Sequence, residues 1–97
     1  MATYIALLQW TDQGIRAVKD TTRRAAAAKD AAAKMGVKFT DLFWTLGQYD
    51  LAIVAEAPDD ETMTALMLNL ASLGNVKSQT LRAFRSKDME MILNKAA

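Results

Sequence analysis

The chain has 97 residues, 12 Lys plus Arg against 11 Asp plus Glu, and neither Cys nor His. Those absences exclude disulfides, thiolate zinc sites, iron–sulfur clusters, cysteine nucleophiles, Ser–His–Asp triads and histidine-ligated metals within this chain. The length predicts one domain, 1–97, and the net charge of +1 exerts no general pull toward nucleic acid or membrane.

Residues 3–10, Thr-Tyr-Ile-Ala-Leu-Leu-Gln-Trp, are β-branched and aromatic and predict a first strand. Thr11 or Asp12 is placed to cap a long alanine-rich helix over 15–35 that stops at Gly36. Its 3.6-residue period puts Ile15, Val18, Thr22, Ala25 or Ala26, and Ala33 on the inner face. Residues 37–46 predict a second strand, with Val37, Phe39 and Phe43 on one side and Leu42, Trp44 and Leu46 on the other. Gly47-Gln48-Tyr49 interrupts it and residues 50–57 resume as a third, which makes an antiparallel hairpin. Pro58-Asp59-Asp60-Glu61 then starts a helix with Asp59 as cap and acids at the positive end of its dipole. Met63, Leu66, Met67, Leu70 and Leu73 form its apolar stripe, and Gly74-Asn75 closes it. Residues 76–85 alternate as a last strand, and Ser86 is placed to cap a short helix with Met89, Ile92 and Leu93 inward.

The order β-α-β-β-α-β with an extra C-terminal helix predicts an α+β, ferredoxin-like split β-α-β fold. Two helices would cover one face of a four-stranded antiparallel sheet, leaving the other to alternate to polar residues. It does not do so. Tyr4, Ala6, Leu8 and Trp10 oppose Thr3, Ile5 and Leu7, and Leu51, Ile53 and Ala55 oppose Ala52 and Val54. Both faces are apolar, and the simplest cover for the second is an identical sheet. The expectation is a face-to-face homodimer, a dimeric α/β barrel, with itself as the principal partner.

Gly47-Gln48-Tyr49-Asp50, followed by residues 51–59, resembles the signature turn of the GYD domain family. Thr11-Asp12-Gln13-Gly14-Ile15, Leu73-Gly74-Asn75-Val76 and Thr80-Leu81-Arg82-Ala83-Phe84 also match that pattern, so the resemblance spans roughly residues 3–90. It implies a ferredoxin-like dimeric α/β-barrel fold and no particular activity. The same turn is similar to one in the effector-binding domain of leucine-responsive-type regulators, where it lies near an amino-acid pocket between subunits. This chain lacks their helix-turn-helix half, so DNA regulation does not carry over.

Gly47 permits a backbone conformation that a Cβ opposes. Tyr49 offers a ring and a hydroxyl, and Asp50 accepts backbone N–H groups or faces a ligand amine. The trio therefore either sets hairpin geometry and subunit contact or lines a ligand site. Glu56 shares the side of Ala52 and Val54, the expected barrel interior, and Arg82 is in phase with Thr80 and Phe84. They are expected to pair across the barrel as a structural ion pair or to grip a polar ligand, and an isolated Glu56 could act as a base. Trp10 and Trp44 belong either to core and interface or to an apolar ligand pocket.

Residues 15–38 hold seven Lys or Arg against two acids, while residues 50–61 hold five acids and no base. No aromatics interleave with the basic run, so a solvated helix face is expected rather than a nucleic-acid surface. Complementary patches would suit assembly of dimers into larger rings. Asp59-Asp60-Glu61 reads as a helix start, not a metal site, and no cofactor is implied. No apolar run approaches the roughly 20 residues that span a bilayer, and a cytoplasmic location is expected. These features predict a self-associating small-ligand-binding or accessory/regulatory protein. The alternatives are a cofactor-independent isomerase, cyclase or monooxygenase acting in a barrel pocket, with Glu56, Tyr49 or Asp50 as acid–base, and a purely structural assembly protein.

Overall fold

The computed structural model describes residues 1–96. β1 (Ala2–Trp10) lies inside a four-stranded sheet of order β2-β3-β1-β4, with β2 Lys38–Trp44, β3 Leu51–Ala57 and β4 Val76–Ala83. Every neighbouring pair is antiparallel. β1 therefore pairs with two strands distant in sequence, which is the ferredoxin-like α+β arrangement. Its period-two pattern is visible in burial, because Tyr4, Ala6 and Leu8 are buried while Ile5 and Leu7 are half-covered.

The two long helices lie on the face carrying Tyr4, Ala6 and Leu8. The single helix expected over 15–35 is corrected to three pieces: α1 (Asp12–Arg16), a 3-10 turn (Val18–Asp20) and α2 (Thr21–Lys34). α1 is capped by Thr11, whose Oγ1 accepts the Gly14 N–H at 3.1 Å. It docks on the loop after the second long helix so tightly that a Cβ on Gly14 would lie 2.0 Å from the Asn75 carbonyl oxygen. The chain leaves helical geometry at Ala17 (φ −106, ψ 28) and restarts in a new phase. The inner face of α2 is consequently Thr21, Arg24, Ala25, Ala28 and Ala32, not Thr22, Ala26 and Ala33, and Ile15 is 48% exposed.

A second correction concerns β2. Its register against β3 slips between Phe39 and Asp41. The extra residue of a bulge exchanges the faces beyond it. Leu42 and Trp44 accordingly join Phe39 on the helix side, opposite Ile53 and Leu51, while Phe43 stands opposite Ala52 on the other face.

α3 (Asp60–Ser72) starts as its sequence dictates, with Asp59 Oδ1 accepting the Thr62 N–H at 2.7 Å. Hydrogen bonding from Thr62 holds the Asp59 carboxyl below its ordinary range. Met63, Leu66 and Met67 are buried against Ala55, Ala57 and Tyr4, and Leu70 packs at the margin. Leu73 follows the last helical residue and is 65% exposed, so it leaves the expected stripe. α4 (Ser86–Lys95) has Arg85 rather than Ser86 at its N-cap position, where Asp88 Oδ2 accepts the Arg85 N–H at 2.9 Å, and it buries no residue; Met89 and Leu93, expected inward, face solvent. The molecule measures 51 × 30 × 18 Å, and its radius of gyration is 14.5 Å. A compact chain of this length has about 13 Å.

Candidate functional site

Asp50 ties three strands together. Its N–H donates to the Leu8 carbonyl at 2.8 Å, and its carbonyl accepts the Thr45 N–H at 2.8 Å. Its Oδ2 takes the Trp10 N–H at 2.9 Å, satisfying a donor at the end of β1 that has no strand partner on that side. Tyr49 reaches across β1 to β4, where its hydroxyl donates to Gln79 Oε1 at 2.8 Å. Gln9 Nε2 donates to the Gln48 carbonyl at 2.8 Å, and Thr45 Oγ1 donates to the Tyr49 carbonyl at 2.6 Å. Gly47 permits the reversal at φ +117, where L side chains are strained although no atom crowds the space. The turn is thus anchored at both ends, and Leu46 stands fully exposed at its tip.

Beneath that turn lies the sheet face without helices. Ile5 and Leu7 of β1, Ala52 and Val54 of β3, Phe43 of β2 and Leu81 of β4 are neighbours on it by register. Phe43 is 54% exposed. Together they form a contiguous apolar patch whose members are half-covered or exposed. Glu56 belongs to this face too, opposite Thr3 on β1 and Lys38 on β2.

Arg82 does not meet Glu56, so the expected pairing of the two is corrected. Arg82 pairs in register with Tyr4, which puts its side chain on the helix side. Its guanidinium carbon sits 5.5 Å from the Tyr4 ring centre and 4.6 Å from that of Phe84, and Nη1 donates to the Thr3 carbonyl at 3.1 Å. Cation–π contact and that bond make Arg82 a strap between edge strand and core. The Tyr4 hydroxyl donates to Asp60. Desolvation first, and then the Asp60 hydrogen bond and charge, push the Tyr4 pKa up from 10.0 to about 12.

On the helix side, α2 stands over the sheet on alanines, and an apolar cavity of about 320 Å³ remains between them. Leu8, Trp10, Leu51 and Ile53 form its floor, Ala28 belongs to its roof, and Thr21, Arg24 and Asn75 are the polar lining. Trp44 does not line it; its indole Nε1 donates to Thr21 Oγ1 at 3.0 Å beside it. Tyr49, Asp50 and Glu56, the acid–base groups of the enzyme alternative, lie outside this lining, and Arg24 is its one ionisable residue. A wider groove of about 710 Å³ between α3 and β4 includes Arg82, Tyr4 and Asp60. Among the described residues no group of three or more acidic side chains could hold a metal ion, and no helix is long and apolar enough to cross a membrane.

Sequence reasoning left the turn open between hairpin geometry with subunit contact and a ligand site, and put Glu56 on the side of Ala52 and Val54, where its register places it. It missed Arg24, whose position depends on the break at Ala17, and Gln79, whose role depends on which strand lies across β1. No signal in the sequence singles out Arg24, since Asp20 stands four residues before it at ion-pair spacing.

The GYD domain model matches residues 4–93. A glutamine synthetase and cystathionine beta-lyase binding protein from Thermus thermophilus is 37% identical over 90 residues, which is 92% of this chain and 95% of that protein. The crystal structure of a Thermus thermophilus protein superposes with a TM-score of 0.58 at 24% identity, covering 89% of this chain and 96% of that one. That likeness is one of fold.

Proposed function

The chain belongs to the GYD domain family, and on that premise we propose that it is a self-associating accessory protein that binds other proteins. The observation that carries this reading is the apolar sheet face of Ile5, Leu7, Val54, Phe43 and Leu81. The single chain exposes 6471 Å². A compact monomer of its mass exposes about 5,500 Å². The excess goes with an elongated chain whose α4 buries no residue and whose second sheet face is only partly covered. Two copies meeting through these faces would enclose the five apolar residues, with the anchored turn and Leu46 at the rim of the dimer. Gly47, Tyr49 and Asp50 then serve to hold that rim in shape, and Glu56 with Lys38 lies at its polar edge.

Partner binding is supported by the relative named for binding glutamine synthetase and cystathionine beta-lyase. An accessory role beside enzymes of that kind, in the cytoplasm, suits a chain without cysteine. Sedimentation velocity at micromolar concentration tests the first half of the proposal. The wild type is expected to run as a dimer or larger, and Phe43→Glu with Leu81→Glu as a folded monomer. A wild type that is monomeric at tens of micromolar overturns it. Biolayer interferometry against purified glutamine synthetase and cystathionine beta-lyase tests the second half, and saturable binding to neither enzyme removes that partner class.

A further inference from the structure

The cavity under α2 has three polar residues in its lining, Thr21, Arg24 and Asn75, and none is acidic. Arg24 is half-buried, and Nη2 donates to the Gly14 carbonyl at 3.2 Å. A guanidinium carries five N–H donors, so that single bond leaves most of them free. The only ion pair among the described residues is Arg23–Asp20 at 2.7 Å, so none of the described carboxylates pairs with Arg24. Thr21 Oγ1 already accepts from Trp44, which leaves its hydroxyl hydrogen to donate. Asn75 accepts from Gln13 Nε2 through Oδ1 at 2.9 Å, so its amide donors point elsewhere. Thr21 and Arg24 lie three residues apart on one helix face, and Gly14 touches both Arg24 and Asn75. One mouth thus gathers a cation and two donors over a cavity whose remaining lining is apolar.

We infer that this cavity binds an apolar monocarboxylate, its hydrocarbon on Leu8, Trp10, Leu51 and Ile53 and its carboxylate on Arg24, Thr21 and Asn75. Donors without a competing acid select an anionic head, and a fork-shaped guanidinium matches a carboxylate in particular. The volume of about 320 Å³ sets the size. At about 30 Å³ for each water-sized group it holds roughly ten heavy atoms, those of a medium-chain or small aromatic acid. α2 is alanine-faced where a core helix would carry leucine, and the space the ligand fills is the space those missing side chains leave. The inference goes beyond the protein-binding role proposed above by assigning a small-molecule class on the other face of the sheet, and it does not depend on the dimer.

Isothermal titration calorimetry with octanoate, octan-1-ol and octylammonium tests it, together with the NMR indole signals of Trp10 and Trp44. Saturable octanoate binding that moves the Trp10 signal is expected, with octan-1-ol about tenfold weaker and octylammonium not binding. Arg24→Gln should reduce octanoate to the level of octan-1-ol and leave octan-1-ol unchanged, while Arg24→Lys keeps most of the preference. Ala28→Leu, which fills the roof, should abolish both. Circular dichroism establishes that each variant is folded, and sedimentation of the same samples reports self-association separately. Absence of saturable octanoate binding overturns the inference. So does an acid preference that survives Arg24→Gln, or a response at Phe43 and Leu81 in place of Trp10.

Discussion

The two faces of one sheet are built by the same strands and end in opposite conditions. Tyr4, Ala6, Leu8, Ile53 and Ala55 are buried under helices, whereas Ile5, Leu7 and Val54, one residue away in each case, are only half-covered. Hydropathy alone does not separate them. The difference lies in what arrives on top: helices follow β1 and β3, and right-handed crossovers bring both to the same side. On the covered side apolar character serves folding; on the bare side it is what the proposed self-association would use.

The largest expected contrast comes from truncating the covered face. Leu66→Ala, at a side chain 1% exposed, should cost about 3 kcal/mol in urea unfolding of the monomer. If it costs under about 1 kcal/mol, α3 is not the main clamp on the sheet. Charges on the bare face should do the reverse. Phe43→Glu with Leu81→Glu should weaken self-association at least a hundredfold by sedimentation and change monomer stability by only about 0.5 kcal/mol. A large loss of monomer stability would mean that this face belongs to the fold and not to an interface.

Smaller effects sharpen the boundary between the faces. Gly47→Ala forces a side chain into φ +117 and should cost about 1–2 kcal/mol in thermal or chemical unfolding. Tyr4→Phe, which loses the bond to Asp60, should cost about 1 kcal/mol near neutral pH. The same residue makes wild-type stability fall with alkali. Unfolded Tyr4 ionises near 10.0 while folded Tyr4 holds its proton to about 12. Between those values the unfolded state binds fewer protons, so stability is complete below pH 10 and declines as pH rises toward 12. Tyr4→Phe should show a shallower decline across that window in urea titrations; an unchanged slope would place the alkaline sensitivity elsewhere.

Local rules made β1, β3, the Asp59 cap and the stripe from Met63 to Met67 legible, because each needs only neighbours in sequence. Departures from those rules fall where the backbone at one residue resets the phase of the next segment. At Ala17 the helix breaks, and the inner face moves from Thr22 and Ala33 to Thr21, Arg24, Ala28 and Ala32, with Ala25 rather than Ala26 between them. Between Phe39 and Asp41 a bulge sends Phe43 to the bare face and Trp44 to the helix side. Arg82 is separated from Glu56 by pairing with Tyr4, a register that depends on a strand at the opposite end of the chain. α4 has an apolar pattern but buries none of its described residues.

The absence of Cys and His, the element order and the doubly apolar sheet were determined by the sequence itself, since residue type and period-two spacing survive any packing. The tertiary structure alone decided that the G-x-Y-D turn is anchored on Trp10 and Gln79, that Arg82 and Glu56 lie on opposite faces, and that Arg24 stands at a cavity mouth. Those outcomes depend on register, bulges and helix phase. Such features are set by contacts between distant segments, and a shift of one residue reverses the face a side chain meets.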